Sequence, residues 1–237
     1  MDTELLYLDD AYLKECDGTV KWFEFTDLIV DRTVFYPTGG GQPNDKGQVI
    51  IDGRTYPIND VWSDGNEVHI MSLDTYSEDV KGKPVHQVIN WDIRYQHMKF
   101  RTALKVITSL AFRLYRATNR INQTYEDQAW IDIGVDEISE EMVKSLEDEA
   151  NKALKSGLDT ETFYLSKEEF QNDSDLMAIS KNEVPDFDKI RVLKIGDLPL
   201  QHEIGTNVKN TSEVGTVKFK TSLVKGKISK RISVFLE

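Results

Sequence analysis

The chain has 237 residues, room for one large domain or two ordinary ones, and no apolar run long enough to span a bilayer. A single cysteine, Cys16, excludes an intrachain disulfide and a cysteine-rich zinc site, and fits a reducing, cytoplasmic setting. A net charge of -12 argues against indiscriminate nucleic-acid binding but leaves room for a local basic face.

The N-terminal Met-Asp-Thr-Glu-Leu-Leu lacks the basic-then-apolar order of a signal peptide. From there to about residue 90, short runs of β-formers alternate with Asp, Gly and Pro turns: Leu5–Tyr7, Thr19–Phe25, Leu28–Asp31, Val49–Ile51 and Thr55–Ile58. Asp52-Gly53 and Asp64-Gly65 are hairpin signals, and strands spaced this regularly predict a small β-barrel over 1–90. Within it, Phe35-Tyr36-Pro37-Thr38-Gly39-Gly40-Gly41-Gln42-Pro43 places three glycines between prolines. Such a loop can let a phosphate or ribose approach the main chain, and it equally suits a tight turn of the barrel.

Pro84 and Val85–Ile89 lead into Arg94–Phe112, where Ala103, Leu104, Ile107, Leu110 and Ala111 recur at helical spacing. Arg101 and Lys105 stand four apart on one face of that helix, and two such cations repel unless an anion elsewhere answers them. Beyond the helix, Thr124–Ile133 predicts a strand. A helix capped by Ser139 and stopped by Gly157 follows, then strands at Thr162–Leu165 and Ile190–Ile195. A short helical or loop segment runs from Ser166 to Lys181, and the chain closes on a hairpin turning at Lys225-Gly226. Mixed helices and antiparallel strands predict an α+β layered domain over 91–237.

Charge is unevenly spread: Arg94 to Arg120 carries seven cations and no acid, Lys218 to Arg231 is again basic, and Glu126 to Asp188 is acidic. The segment Leu198 to Gly215 holds His202, Glu203, Asn207 and Asn210 between glycines, a density of hydrogen-bonding groups common in ligand loops.

Taken together, three patterns resemble the freestanding alanyl-tRNA editing proteins, the AlaX group, and the editing domain of alanyl-tRNA synthetase. They are Phe35 to Pro43 with Asp45-Lys46-Gly47, Arg94-x-x-His97-Met98-x-x-x-Thr102-Ala103-Leu104, and Gly205-Thr206-Asn207-Val208-Lys209-Asn210-Thr211. The resemblance runs in order over nearly the whole chain. It implies a translation-factor-like β-barrel, followed by a two-layer α+β editing domain of the class II threonyl/alanyl-tRNA synthetase type. It also implies trans-acting hydrolysis of serine or glycine esters of alanine-specific tRNA. The same resemblance brings a zinc site, His-x-x-x-His on the helix and Cys-x-x-x-His in the later segment. Here those four positions are Arg101, Lys105, Glu203 and Asn207.

Arg and Lys are protonated at neutral pH and do not ligate zinc, so no metal is expected there. Zinc with one thiolate and neutral imidazoles carries about +1, and Arg101, Lys105 and Glu203 also sum to about +1; with the loop brought to the helix as the resemblance implies, Glu203 is expected to bridge the two cations. The residues expected to act in catalysis are Arg101, Lys105 and Glu203. Those expected at the substrate are Gly39, Gly40, Gly41, Gln42, Thr102, Thr206 and Asn207. His97 and His202 are candidates for a relocated metal. The expected partner is tRNA, with recognition without turnover as the alternative to hydrolysis.

Overall fold

A computed structural model describes residues 2–237, which divide into a unit that runs up to His97 and a unit from Met98 to Glu237. The first unit begins with β1 (Glu4–Leu5), α1 (Leu6–Asp9), β2 (Glu15–Glu24), β3 (Asp27–Val30) and β4 (Arg32–Thr33). It continues through β5 (Gly47–Ile51), β6 (Arg54–Ser63), β7 (Val68–Ser72) and β8 (Pro84–Ile89) into α2 (Trp91–Tyr115). Six strands close a barrel in the order β2-β3-β7-β6-β5-β8, with β1 lying parallel to β4 outside it.

The hairpin chemistry explains the pairing. Asp52 and Gly53 both sit at positive φ (50° and 76°), the conformation that a two-residue turn between right-twisted strands demands, and β5 and β6 pair from Ile51↔Arg54 to Gly47↔Ile58. At the next turn the Asp64 carboxylate accepts the Asn66 and Glu67 amides, both at 2.9 Å. Leu28, Val30, Val49, Ile51, Tyr56, Val61 and Ile70 fill the interior. Where β5 crosses β8 the backbones approach so closely that a Cβ on Gly47 would lie 2.2 Å from the Val88 carbonyl oxygen, so only glycine fits. The expected strand at Leu5–Tyr7 is cut to two residues, because Tyr7 turns into α1 and sets its buried ring edge-on to Tyr36, centroids 5.2 Å apart.

The glycine-rich loop is a turn held by a buried ion pair. Gly39 and Gln42 exchange both backbone hydrogen bonds (3.0 and 2.9 Å), and Gly40 and Gly41 between them take φ of 55° and 79°. Asp45 accepts the Tyr36 amide at 2.6 Å and is gripped by Arg94 of α2 through Nε (2.9 Å to Oδ1) and Nη2. The same guanidinium donates to the Ala11 carbonyl (3.0 Å) and the Val34 carbonyl (2.7 Å). Both side chains are wholly buried, so every Arg94 contact replaces water that the charge has lost.

The second unit contains the rest of α2, β9 (Thr118–Thr124), β10 (Ala129–Gly134), α3 (Glu140–Lys155) and β11 (Thr160–Leu165). After these come α4 (Lys167–Asn172), α5 (Ser174–Ile179), β12 (Ile190–Ile195) and β13 (Gln201–His202), a 3-10 turn at Thr211–Val214, β14 (Val217–Val224) and β15 (Lys227–Leu236). Two antiparallel sheets form, ordered β14-β15-β10-β9 and β11-β12-β13, and with the helices they make the α+β fold that the sequence predicts.

Capping behaves as the sequence predicts at α3, where the Ser139 hydroxyl accepts the Met142 amide at 3.1 Å. Asn151 of α3 bonds both backbone groups of Val217, and Glu147 accepts the Phe219 amide, so the helix covers the free edge of β14. Thr124–Ile133 is not one strand. A turn at 125–128 separates β10 from β9, whose Thr-Asn-Arg-Ile-Asn-Gln-Thr lacks apolar alternation because it is the polar edge of its sheet.

Candidate functional site: a buried ion-pair cluster beside a polar cleft

The register of the smaller sheet brings the 201–208 segment to α2. Val192↔His202 and Leu193↔Gln201 pair β13 with β12, and the next amide, Glu203, donates to the Arg191 carbonyl at 3.0 Å. On the helix side the Gln201 amide group donates to the Lys105 carbonyl (2.8 Å) and to Ser109 Oγ (2.7 Å). Thr102 Oγ1 accepts the Val208 amide (3.1 Å) and donates to Asn207 Oδ1 (3.2 Å). These contacts leave the Glu203 carboxylate facing the cations at 101 and 105.

The carboxylate is fully buried and surrounded by donors. Arg101 reaches Oε1 through Nε at 2.8 Å and through Nη2, and the Gly205 amide reaches the same oxygen at 2.6 Å. Asn207 Nδ2 donates to Oε2 at 2.9 Å, and Lys105 Nζ lies 3.6 Å from that oxygen while donating to the His202 carbonyl at 2.6 Å. Arg191 ties down the following backbone through the Glu203 and Gly205 carbonyls (3.4 and 3.0 Å). The anion that Arg101 and Lys105 require is therefore Glu203, as the resemblance implies.

Burial by itself would raise the Glu203 carboxyl. The charges of Arg101 and Lys105, with hydrogen bonds from Arg101 and Asn207, outweigh it and hold the group far below the usual carboxylate range. Burial moves Lys105 the other way, down to about 8, with Glu203 opposing the shift and Arg101 adding to it. Burial and then the Lys105 charge also lower His202 below its ordinary value, so its imidazole is neutral near pH 7.

Lys105 and His202, with Thr108, Asn119, Asn122 and Lys181, line a cleft of about 480 Å³. Arg101 and Glu203 stand behind it. The segment sequence singled out His202, Glu203 and Asn207. It gave no sign of Asn119 and Asn122, which come from the unexpected strand β9, or of Lys181, while Gln201 lies within the segment without a role assigned to it. Of the expected substrate residues, Thr102 and Asn207 have their described contacts with the loop and Glu203, Thr206 is buried beside them, and Gly39 to Gln42 form the turn of the first unit.

A pH dependence follows from Lys105. Its folded-state value of about 8 lies below the ordinary 10.5, so between these limits the unfolded chain holds a proton that the folded chain has released. Stability then rises with pH across that window, and below it the cost of burying the charged amine is fully present. Relative to Lys105→Met, the wild-type protein should gain stability from pH 8 to 10 with a slope of at most about 1.4 kcal/mol per pH unit. Urea melts of both proteins measure this, and a flat difference would show that the ammonium is not buried as described.

No family model matches the chain. It is similar to an alanyl-tRNA editing protein AlaX-M of Saccharolobus solfataricus, with 30% identity over 231 residues and 97% of each chain covered. It is similar at 31% over 240 residues to an AlaX-M of Methanosarcina mazei, covering 97% of this chain and 95% of that one. The chain belongs to the AlaX family of alanyl-tRNA editing proteins. An alanine–tRNA ligase of Thermococcus kodakarensis matches at 30% over 220 residues, 92% of this chain but 24% of the ligase.

At the positions where the sequence resemblance implies zinc ligands, the side chains present do not suit a zinc ion. Arg101 and Lys105 offer protonated nitrogens without a lone pair, and both Glu203 oxygens are occupied by protein donors. Among the described residues, no three His, Cys, Asp or Glu side chains are grouped so as to hold a metal ion, His97 and His202 included.

Proposed function

We propose that this AlaX protein hydrolyses misacylated alanine-specific tRNA in trans, acting on seryl or glycyl esters, without zinc at the family's position. The observation that carries this reading is the Arg101–Glu203–Lys105 cluster, which presents one cation, Lys105, to a polar cleft while keeping the others behind it. In the proposed step, the Lys105 ammonium stabilises the charge that develops on the ester carbonyl oxygen. Water attacks the carbonyl carbon, and neutral His202 or the terminal ribose hydroxyl takes its proton. The bond from carbonyl carbon to ribose oxygen breaks, and that proton passes to the ribose oxygen as the free amino acid leaves.

Arg101 and Glu203 act in this scheme as positioning residues for Lys105. The charge held on Glu203 makes it a poor base, which favours one second reading, recognition of the acylated tRNA end without turnover. The test is deacylation of seryl-tRNA specific for alanine by protein freed of metal. Turnover that falls about 100-fold or more in Lys105→Met, with the tRNA still bound, supports hydrolysis at this cleft. Binding without turnover in the wild-type protein supports the second reading, and neither activity contradicts both.

A further inference from the structure

The four-stranded sheet has a second face that the editing chemistry does not use. Ile131, Ile133, Ile232 and Val234 are buried on one side. Strand alternation then puts Trp130 and Asp132 of β10, Arg231 and Phe235 of β15, and Lys218 and Lys220 of β14 together on the other. The register confirms the shared face: Asp132 pairs with Arg231, Trp130 and Lys220 both pair with Ser233, and Lys218 pairs with Phe235.

Cations and rings on this face are stacked in layers. Asp132 grips the Arg231 guanidinium in plane, Nε to Oδ1 at 2.7 Å and Nη2 to Oδ2 at 2.8 Å. That plane lies 3.6 Å over the Trp130 ring, and Lys220 Nζ lies 4.6 Å over Phe235. The Arg231 side chain is 47% exposed. In a chain of net charge -12, this face gathers three cations and two aromatic rings. The acids at this face are Asp132, which orients Arg231, Glu147, 3.7 Å from Lys218 at the sheet edge, and Glu237, two residues beyond Phe235.

We propose that this face is a platform for single-stranded RNA, whose bases stack on Arg231 over Trp130 and beside Phe235 while Lys218 and Lys220 meet the phosphates. Stacking on rings and on guanidinium planes within a positive surface is how sheets hold unpaired nucleotides. Duplex RNA hides its base faces and cannot use such layers. The platform is continuous with the cleft: Ile121, paired with Asp132 on this face and 56% exposed, also lines the cleft beside Lys105. The proposal rests on the tRNA reading only for which RNA arrives.

Fluorescence anisotropy of the full chain with an uncharged, labelled RNA of about 12 nucleotides tests the platform, because that length is within the usual range for single-strand binders. The single strand should bind about tenfold or more tightly than a hairpin duplex of the same composition. Trp130→Leu and Lys220→Glu should each weaken it about tenfold, with melting curves showing both variants folded. Equal affinity for strand and duplex, no binding at all, or binding unchanged in the folded variants overturns the proposal. Because the probe carries no amino acid, failure of deacylation leaves this result standing, and the reverse also holds.

Discussion

Replacing Glu203 by Gln lowers the stability of the second unit by about 3–5 kcal/mol, the usual cost of removing one partner from a buried pair. The substituted amide still has a carbonyl oxygen for the Gly205 amide, but it cannot neutralise Arg101 or Lys105, whose residues are buried or nearly so. Two cations would then face each other across one helical turn without a counter-charge. For a chain of this size the loss corresponds to a fall on the order of 10 °C in melting temperature. A buried ion pair is poor evidence of net stabilisation, since a well-packed apolar replacement can equal it. The comparison that isolates the charge is therefore Glu203→Gln against the triple replacement Arg101→Met, Lys105→Met, Glu203→Leu, which should recover much of the loss. An unchanged melting temperature in Glu203→Gln would contradict the cluster as described.

In the first unit the corresponding change is Asp45→Asn, with an expected loss of about 3 kcal/mol or more. Asn keeps an oxygen for the Tyr36 amide but leaves Arg94 charged and wholly buried, with only neutral acceptors, that oxygen and the Ala11 and Val34 carbonyls. The turn from Tyr36 to Asp45 should open first. The expected signature is faster hydrogen exchange at the Tyr36, Thr38 and Asp45 amides, with slower change at barrel amides such as Val61. Protection of the turn that falls no more than that of the barrel would mean the ion pair does not hold it.

These two ion pairs mark what local sequence can reveal. Asp52-Gly53, Ser139 and Lys225-Gly226 act on their immediate neighbours, and each forms the turn or cap that its chemistry predicts. Gly39 to Gly41 were ambiguous because glycine serves both a tight turn and a ligand cradle; the positive φ values of Gly40 and Gly41 account for two of the three. Arg101 and Lys105 posed a question of charge that nothing near them in sequence could answer. Only the resemblance brought Glu203 to them, and the β12–β13 register is what places it.

The partnership of Arg94 with Asp45 has no local signal: each stands in a separate motif, and nothing in either points to the other. Strand β9 was missed for a related reason. Edge strands are kept polar, and its two cleft asparagines therefore looked like loop residues. The sheet face with Trp130 and Arg231 needed the register of three strands before its cations and rings came onto one surface.

The central claim is that an ion-pair cluster stands where the family's resemblance places zinc, and that the cleft beside it works on that basis. The most direct measurement is deacylation of seryl-tRNA specific for alanine by untagged protein before and after chelation, with zinc quantified in the same samples. The account predicts substoichiometric zinc and the same turnover in both, with no gain when zinc is added back. One equivalent of zinc, with turnover lost on chelation and restored by the metal, would contradict it.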